Sequence, residues 1–88
     1  MQLKDNYVKR DLYLFWGMHP SVKVSKPVIN YVLDCNKKEL DSQLNAMVAA
    51  GLLEEHVQNG MTLYSLTTNE ERRQTILEFV RHGHNYYQ

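Results

Sequence analysis

The chain has 88 residues, enough for one domain with a small core that a second subunit would reinforce. Ten Lys and Arg balance ten Asp and Glu, which excludes a global pull toward nucleic acid or an anionic membrane and leaves only local attraction. The single cysteine, Cys35, excludes an internal disulfide and fits a reducing compartment; no apolar run nears the roughly 20 residues of a membrane span and no signal-peptide segment opens the chain, so the expectation is a cytoplasmic protein without a membrane partner.

The first pattern is helical, from about Lys4 to Met18. Val8, Leu12, Phe15 and Trp16 make one apolar stripe and Tyr7, Leu14 and Met18 a second, with Asp11 between them. Together they span about half the circumference, more than the ~100° a helix needs to cover one core, which predicts a second contact surface or a deeply wrapped helix. Pro20 disfavours helical geometry at His19 and closes the segment. Ser21 to Val24 then reads as a short strand able to pair with a later hairpin. Ser25 is a candidate N-cap for a second, short helix with Pro27 in its first turn and Val28, Ile29, Val32 and Leu33 as apolar positions. Asp34 and Cys35 connect it to the next helix with the spacing of a helix-turn-helix.

Asn36 followed by Glu39 is a capping-box pattern, so the third helix should begin at Lys37. Leu40, Leu44, Met47 and Val48 fall on its inner side, while Lys37, Lys38, Asp41, Ser42 and Asn45 fall on the outer one. Gly51 marks its end, where a left-handed residue is most easily placed. Residues 53–58 and 61–66 flank Asn59 and Gly60, the dipeptide that best tolerates the positive backbone angles of a tight hairpin. Alternation along the second strand leaves one face to bury and one to wet. Thr68 with Glu71 gives a second capping-box pattern for a last helix with Ile76, Leu77, Phe79 and Val80 as its apolar face. Arg72 and Arg73 oppose that helix's dipole and so should serve something other than the helix itself. The tail from His82 to Gln88 is expected to fray unless a second chain holds it.

Catalytic chemistry has little to stand on. His19, His56, His82 and His84 show no spacing that puts ligands on one helical face, and there is no nucleophile motif, phosphate-binding glycine loop or carboxylate pair. No enzyme activity, cofactor or metal is expected. Cys35 reads as an inert, partly buried thiol, or as a redox switch if Lys37 or Lys38 stabilises its thiolate.

The basic excess lies early: residues 1–44 carry seven Lys or Arg against five Asp or Glu, and the remainder three against five. The order helix, short strand, helix, turn, helix, two-stranded hairpin, helix resembles the winged helix-turn-helix proteins, a mainly α fold with a small β-wing. The segment LDSQLNAMVAAGLLEEHVQNGMTLYSLT is similar to the recognition helix and wing of MarR- and PadR-type transcriptional regulators. The shared features are the leucine-spaced helix at Leu40, Leu44 and Met47, the Gly51 to Leu53 exit, the Gly60 wing tip and the Tyr64 to Thr67 strand. The resemblance covers nearly all of residues 1–88, as a single domain. It implies binding of double-stranded DNA, with Lys37, Lys38, Ser42 and Asn45 offered to phosphates and base edges in the major groove. Gln58 and Asn59 would lie along the backbone or minor groove, and Lys23, Ser25 and Lys26 would fix the register on neighbouring phosphates. This wing carries Glu54, Glu55 and His56 and no basic residue, and Asp41 faces outward, where phosphate repels it unless it accepts from cytosine. Only two to four phosphate contacts per chain are then available, so a dimer is needed.

The surplus apolar surface of the first helix suggests a homodimer through the first and last helices. Tyr7, Leu14, Met18, Ile76, Phe79 and Val80 are the candidate contacts, and Asp11 and Arg73 are expected to pair within or across subunits. The alternative function is a winged-helix protein-interaction module that leaves DNA alone, favoured by zero net charge and by the same apolar girth.

Overall fold

In the computed structural model, which describes residues 3–83, the elements follow in the order α1 (Leu3–Met18), β1 (Lys23–Ser25), α2 (Lys26–Leu33), α3 (Lys37–Ala49), β2 (Leu53–Gln58), β3 (Met61–Leu66) and α4 (Glu70–Gly83). The expectation for the tail from residue 84 onward lies outside the described residues. Val8, Leu12 and Trp16, four residues apart, share one side of α1 and are buried, as the stripe facing a single core must be. Ile29 of α2, Leu40, Leu44 and Met47 of α3, Leu52, Leu53, Tyr64 and Leu66 of the hairpin and Ile76 of α4 close around them. The Trp16 indole donates to the Val22 carbonyl at 3.2 Å, which satisfies its buried N–H.

The strands form one antiparallel sheet in the order β1-β3-β2. Leu53 pairs with Leu66 and Glu55 with Tyr64, while Val24 meets Tyr64 from the other side, so the buried face of the hairpin continues onto β1. Asn59 and Gly60 have φ of 54° and 77°, the positive pair that a two-residue turn needs to follow the strand twist. The helix ends are equally explicit. Asn36 Oδ1 accepts from the amides of Lys38 and Glu39, at 2.8 and 3.2 Å. At the other end of α3, Gly51 at φ 78° lets its own amide reach Val48 O and that of Leu52 reach Met47 O, the double bond of a Schellman cap. These pieces make a winged helix-turn-helix, the fold expected from their order along the chain.

Some local expectations change. The short strand is Lys23–Ser25 rather than Ser21 to Val24. Ser25 stands at the N-cap of α2 but makes no side-chain cap bond. The cap of α4 is Asn69 rather than Thr68: Asn69 Oδ1 accepts from Arg72 N at 3.0 Å, whereas Thr68 gives both its amide and its hydroxyl to Glu54. A carboxylate across the chain competes successfully for the threonine, and the next residue caps instead. On α2 only Ile29 is fully buried. Val28 and Val32 are 46% and 53% exposed, and Tyr31 beside them is 87% exposed, because an eight-residue helix presents just one side to α3 and the sheet.

Candidate nucleic-acid interface

Helix α3 is held by its buried side and presents the other. Leu40, Leu44 and Met47 anchor it, and Lys37, Lys38, Ser42 and Asn45 are all exposed on the outward face, as their spacing predicts. Its position relative to α2 is set by the turn between them. Asp34 adopts a left-handed conformation, φ 51°, and its amide closes on Asn30 O, while the Asn30 side chain donates to the Cys35 carbonyl at 2.7 Å. Asn30 escaped the sequence reading, since a lone polar residue in a short helix carries no signal until the turn it fastens is seen.

The first turn of α3 is already capped by its own chain. The amides of Lys38 and Glu39 are taken by Asn36, so a phosphate there would meet the two lysine side chains rather than these amides. Lys26, at the start of α2, faces a groove of about 300 Å³ lined also by Pro27, Asn30, Lys37, Leu40 and Asp41. Across it the Lys26 ammonium sits 2.8 Å from an Asp41 carboxylate oxygen. The close contact with that carboxylate is the main reason the ammonium holds its proton more tightly than an ordinary lysine. The carboxylate on the outward face of α3 therefore has a partner.

Lys23 is exposed on β1 opposite Ser65, on the sheet face that also carries His56 and Glu54. Ser25 is buried, with 6% of its surface exposed, which corrects its assignment as a phosphate contact: little of it is left to meet a backbone. Gln58 and Asn59 stand exposed at the wing tip with Val57 and Met61 beside them. The acidic character of the wing has a structural origin at Glu54. Its carboxylate accepts from the Thr68 amide and hydroxyl at 3.0 and 3.1 Å, which hold its pKa below the ordinary value and tie the base of the wing to the lead-in of α4. His56 Nε2 lies 2.8 Å from the Ser65 hydroxyl on the same face.

The residues assigned to a dimer divide into two groups. Ile76 is wholly buried within its own chain, and this corrects its place at an interface. Phe79 meets Tyr13 edge to face at 5.1 Å, and Val80 packs against Gly17 of α1, so the inner side of α4 is largely used by α1 of the same chain. Tyr7 and Met18 are exposed, and Leu14 is half-buried. Asp11 pairs with Arg10 at 3.4 Å, and Arg73 donates to the Thr67 carbonyl at 3.2 Å, so these two do not pair with each other in the chain. Arg72 lies over Gly51. The cations that oppose the α4 dipole thus brace the segments on either side of the wing.

A second cleft, of about 250 Å³, separates α1 from the helix-helix turn and is lined by Tyr7, Val8, Asp11, Leu33, Asp34, Cys35, Asn36 and Glu39. Burial pushes the Cys35 thiol up, and the carboxylates of Asp11 and Glu39 act in the same direction, against the Asn30 amide. This is the opposite of the thiolate stabilisation a redox switch requires. Among the described residues no group of three or more His, Cys, Asp or Glu is arranged to hold a metal ion, and no helix is long and apolar enough to cross a membrane.

No protein-family model matches the chain, and no curated protein sequence does. Two solved structures share its architecture. A MarR family transcription regulator, SP03579, superposes with a TM-score of 0.68 at 18% identity, over 91% of this chain and 52% of its own. Sso10a-2, a DNA-binding protein from Sulfolobus solfataricus, superposes with a TM-score of 0.62 at 21% identity, over 91% of this chain and 83% of its own. The chain spans about half the length of the MarR-family structure, and the likeness to both is one of fold: a winged helix-turn-helix.

Proposed function

We propose that the chain is a small transcriptional regulator that binds double-stranded DNA as a homodimer, with α3 in the major groove. The observation that carries the reading is the outward face of α3: Lys37, Lys38, Ser42 and Asn45 are exposed together on a helix fixed from behind by Leu40, Leu44 and Met47. That helix has the chemistry of a groove reader, with two cations at its first turn for phosphates and an amide two turns further along that can bond bidentately to adenine. The similarity in fold to a protein named as a transcription regulator and to one named as DNA-binding supports it. Lys23 on the sheet edge and Gln58 and Asn59 at the wing tip would add contacts to the backbone outside the groove.

The test is fluorescence anisotropy of a labelled random-sequence duplex titrated with the protein across a series of salt concentrations. Affinity should fall linearly on a log-log plot, with a slope of about −0.9 for each phosphate neutralised. Absence of binding by folded protein at the lowest salt would end the DNA reading. A protein-interaction role is the second reading, and the exposed Val28, Tyr31 and Val32 on α2 favour it, since they form an apolar strip that the described residues leave uncovered.

A further inference from the structure

We propose that Asp41 is a specificity-determining residue of this interface: by holding the Lys26 ammonium across the groove between α2 and α3, it withholds that cation from the phosphates of sequence-blind duplex. The inference rests on the DNA-binding reading and deepens it. Asp41 lies four residues after Lys37 and four before Asn45, in the middle of the face that would enter the groove. A carboxylate there works against binding to a polyanion, yet it is not left to do so alone. Its oxygen is 2.8 Å from Lys26 Nζ, and the pair bridges two helices rather than two turns of one. Both side chains stay substantially exposed, 42% and 49%, so the pair adds little to folding stability, and what it changes is the field that DNA meets. With Lys26 neutralised, the cations left on the α3 side of the groove are Lys37 and Lys38, at the first turn of the recognition helix. A lower affinity for random duplex raises the ratio of specific to non-specific binding, the quantity that matters where competing sites are abundant.

The experiment is a cycle of four proteins, wild type, D41N, K26Q and D41N/K26Q, each titrated onto a random-sequence duplex over a range of salt. D41N should bind several-fold more tightly at moderate salt and steepen the log-log slope by about 0.9 per protomer, the signature of one added phosphate contact. K26Q alone should leave the slope near that of wild type, because Lys26 is already withheld, and K26Q added to D41N should return the slope to the wild-type value. Circular dichroism confirms that each variant is folded, and D41S replaces D41N if it is not. If wild type binds and D41N changes neither affinity nor slope, the inference falls and the DNA reading stands. If K26Q lowers the slope as much in wild type as in D41N, Lys26 reaches phosphate despite the carboxylate, and the inference again falls. If no variant binds at the lowest salt, both readings fall together.

Discussion

Lys37 and Lys38 project from the first turn of α3 with their neighbouring amides already closed by Asn36, so each would act on a phosphate as a side-chain cation. Replacing both with alanine should weaken binding to all duplexes alike and reduce the magnitude of the salt slope by about two per protomer. Anisotropy titrations check this, and an unchanged slope would place the DNA elsewhere on the molecule. A second residue-scale effect belongs to Glu54. The Thr68 amide, and then its hydroxyl, stabilise the carboxylate and lower its pKa in the folded state. A lowered folded-state value means that the stabilisation is fully present above the unfolded-state value and is lost as pH falls through the folded one. Glu54→Gln should therefore lower the melting temperature at neutral pH and converge with wild type in acid, where the wild-type carboxyl is itself protonated, so that the acid limb of its profile is flatter. Calorimetry at several pH values decides it, a parallel profile counting against the contact. Neither role was visible in the one-dimensional pattern, where Glu54 registers only as a negative charge on the wing and Thr68 as a helix cap.

At the scale of elements, helices and hairpin differ in how much they depend on neighbours. Asn36, Gly51 and the Asn59-Gly60 turn occupy the positions their types predict, because capping and positive φ are decided within a few residues of chain. The contact between α1 and α4 is of another kind. A Cβ added at Gly17 would overlap the Val80 side chain and approach the Ile76 carbonyl to 3.4 Å, so the helices cross closely at this point only because it is glycine. Gly17→Ala should destabilise the fold by about 1–3 kcal/mol, even though alanine is the better helix former, because overpacking outweighs propensity here. Urea denaturation would show this as a lower midpoint with an unchanged slope, and an unchanged midpoint would mean that the two helices can part without cost. The same crossing explains why Ile76, Phe79 and Val80 were readable as apolar but not as internal: periodicity identifies the face to be covered and is silent about which chain covers it.

For the whole molecule, the question is what remains uncovered once the core is closed. Tyr7 and Met18 on α1 stay exposed although the inner stripe of that helix is buried, which keeps a two-fold contact along α1 available. Sedimentation equilibrium at micromolar concentration should give twice the 10.4 kDa chain mass, and Met18→Lys with Tyr7→Glu should shift it toward one. A wild-type monomer at that concentration would remove the dimer and, with only a few phosphate contacts available per chain, most of the affinity expected for DNA.

The amino-acid sequence alone determined the element order, the ends of α3, the hairpin turn and which side of α3 faces out. Each of these follows from local rules: the 3.6-residue and two-residue periods, the caps and the few residues that accept positive φ. Tertiary structure alone decided that Asp41 meets Lys26, that Glu54 claims Thr68 and moves the α4 cap to Asn69, and that Ile76 turns inward while Val28, Tyr31 and Val32 remain outside. The partners in these contacts lie far apart along the chain or on separate elements, and a side chain's partner and its burial are set by what packs across from it, which no short stretch of sequence records.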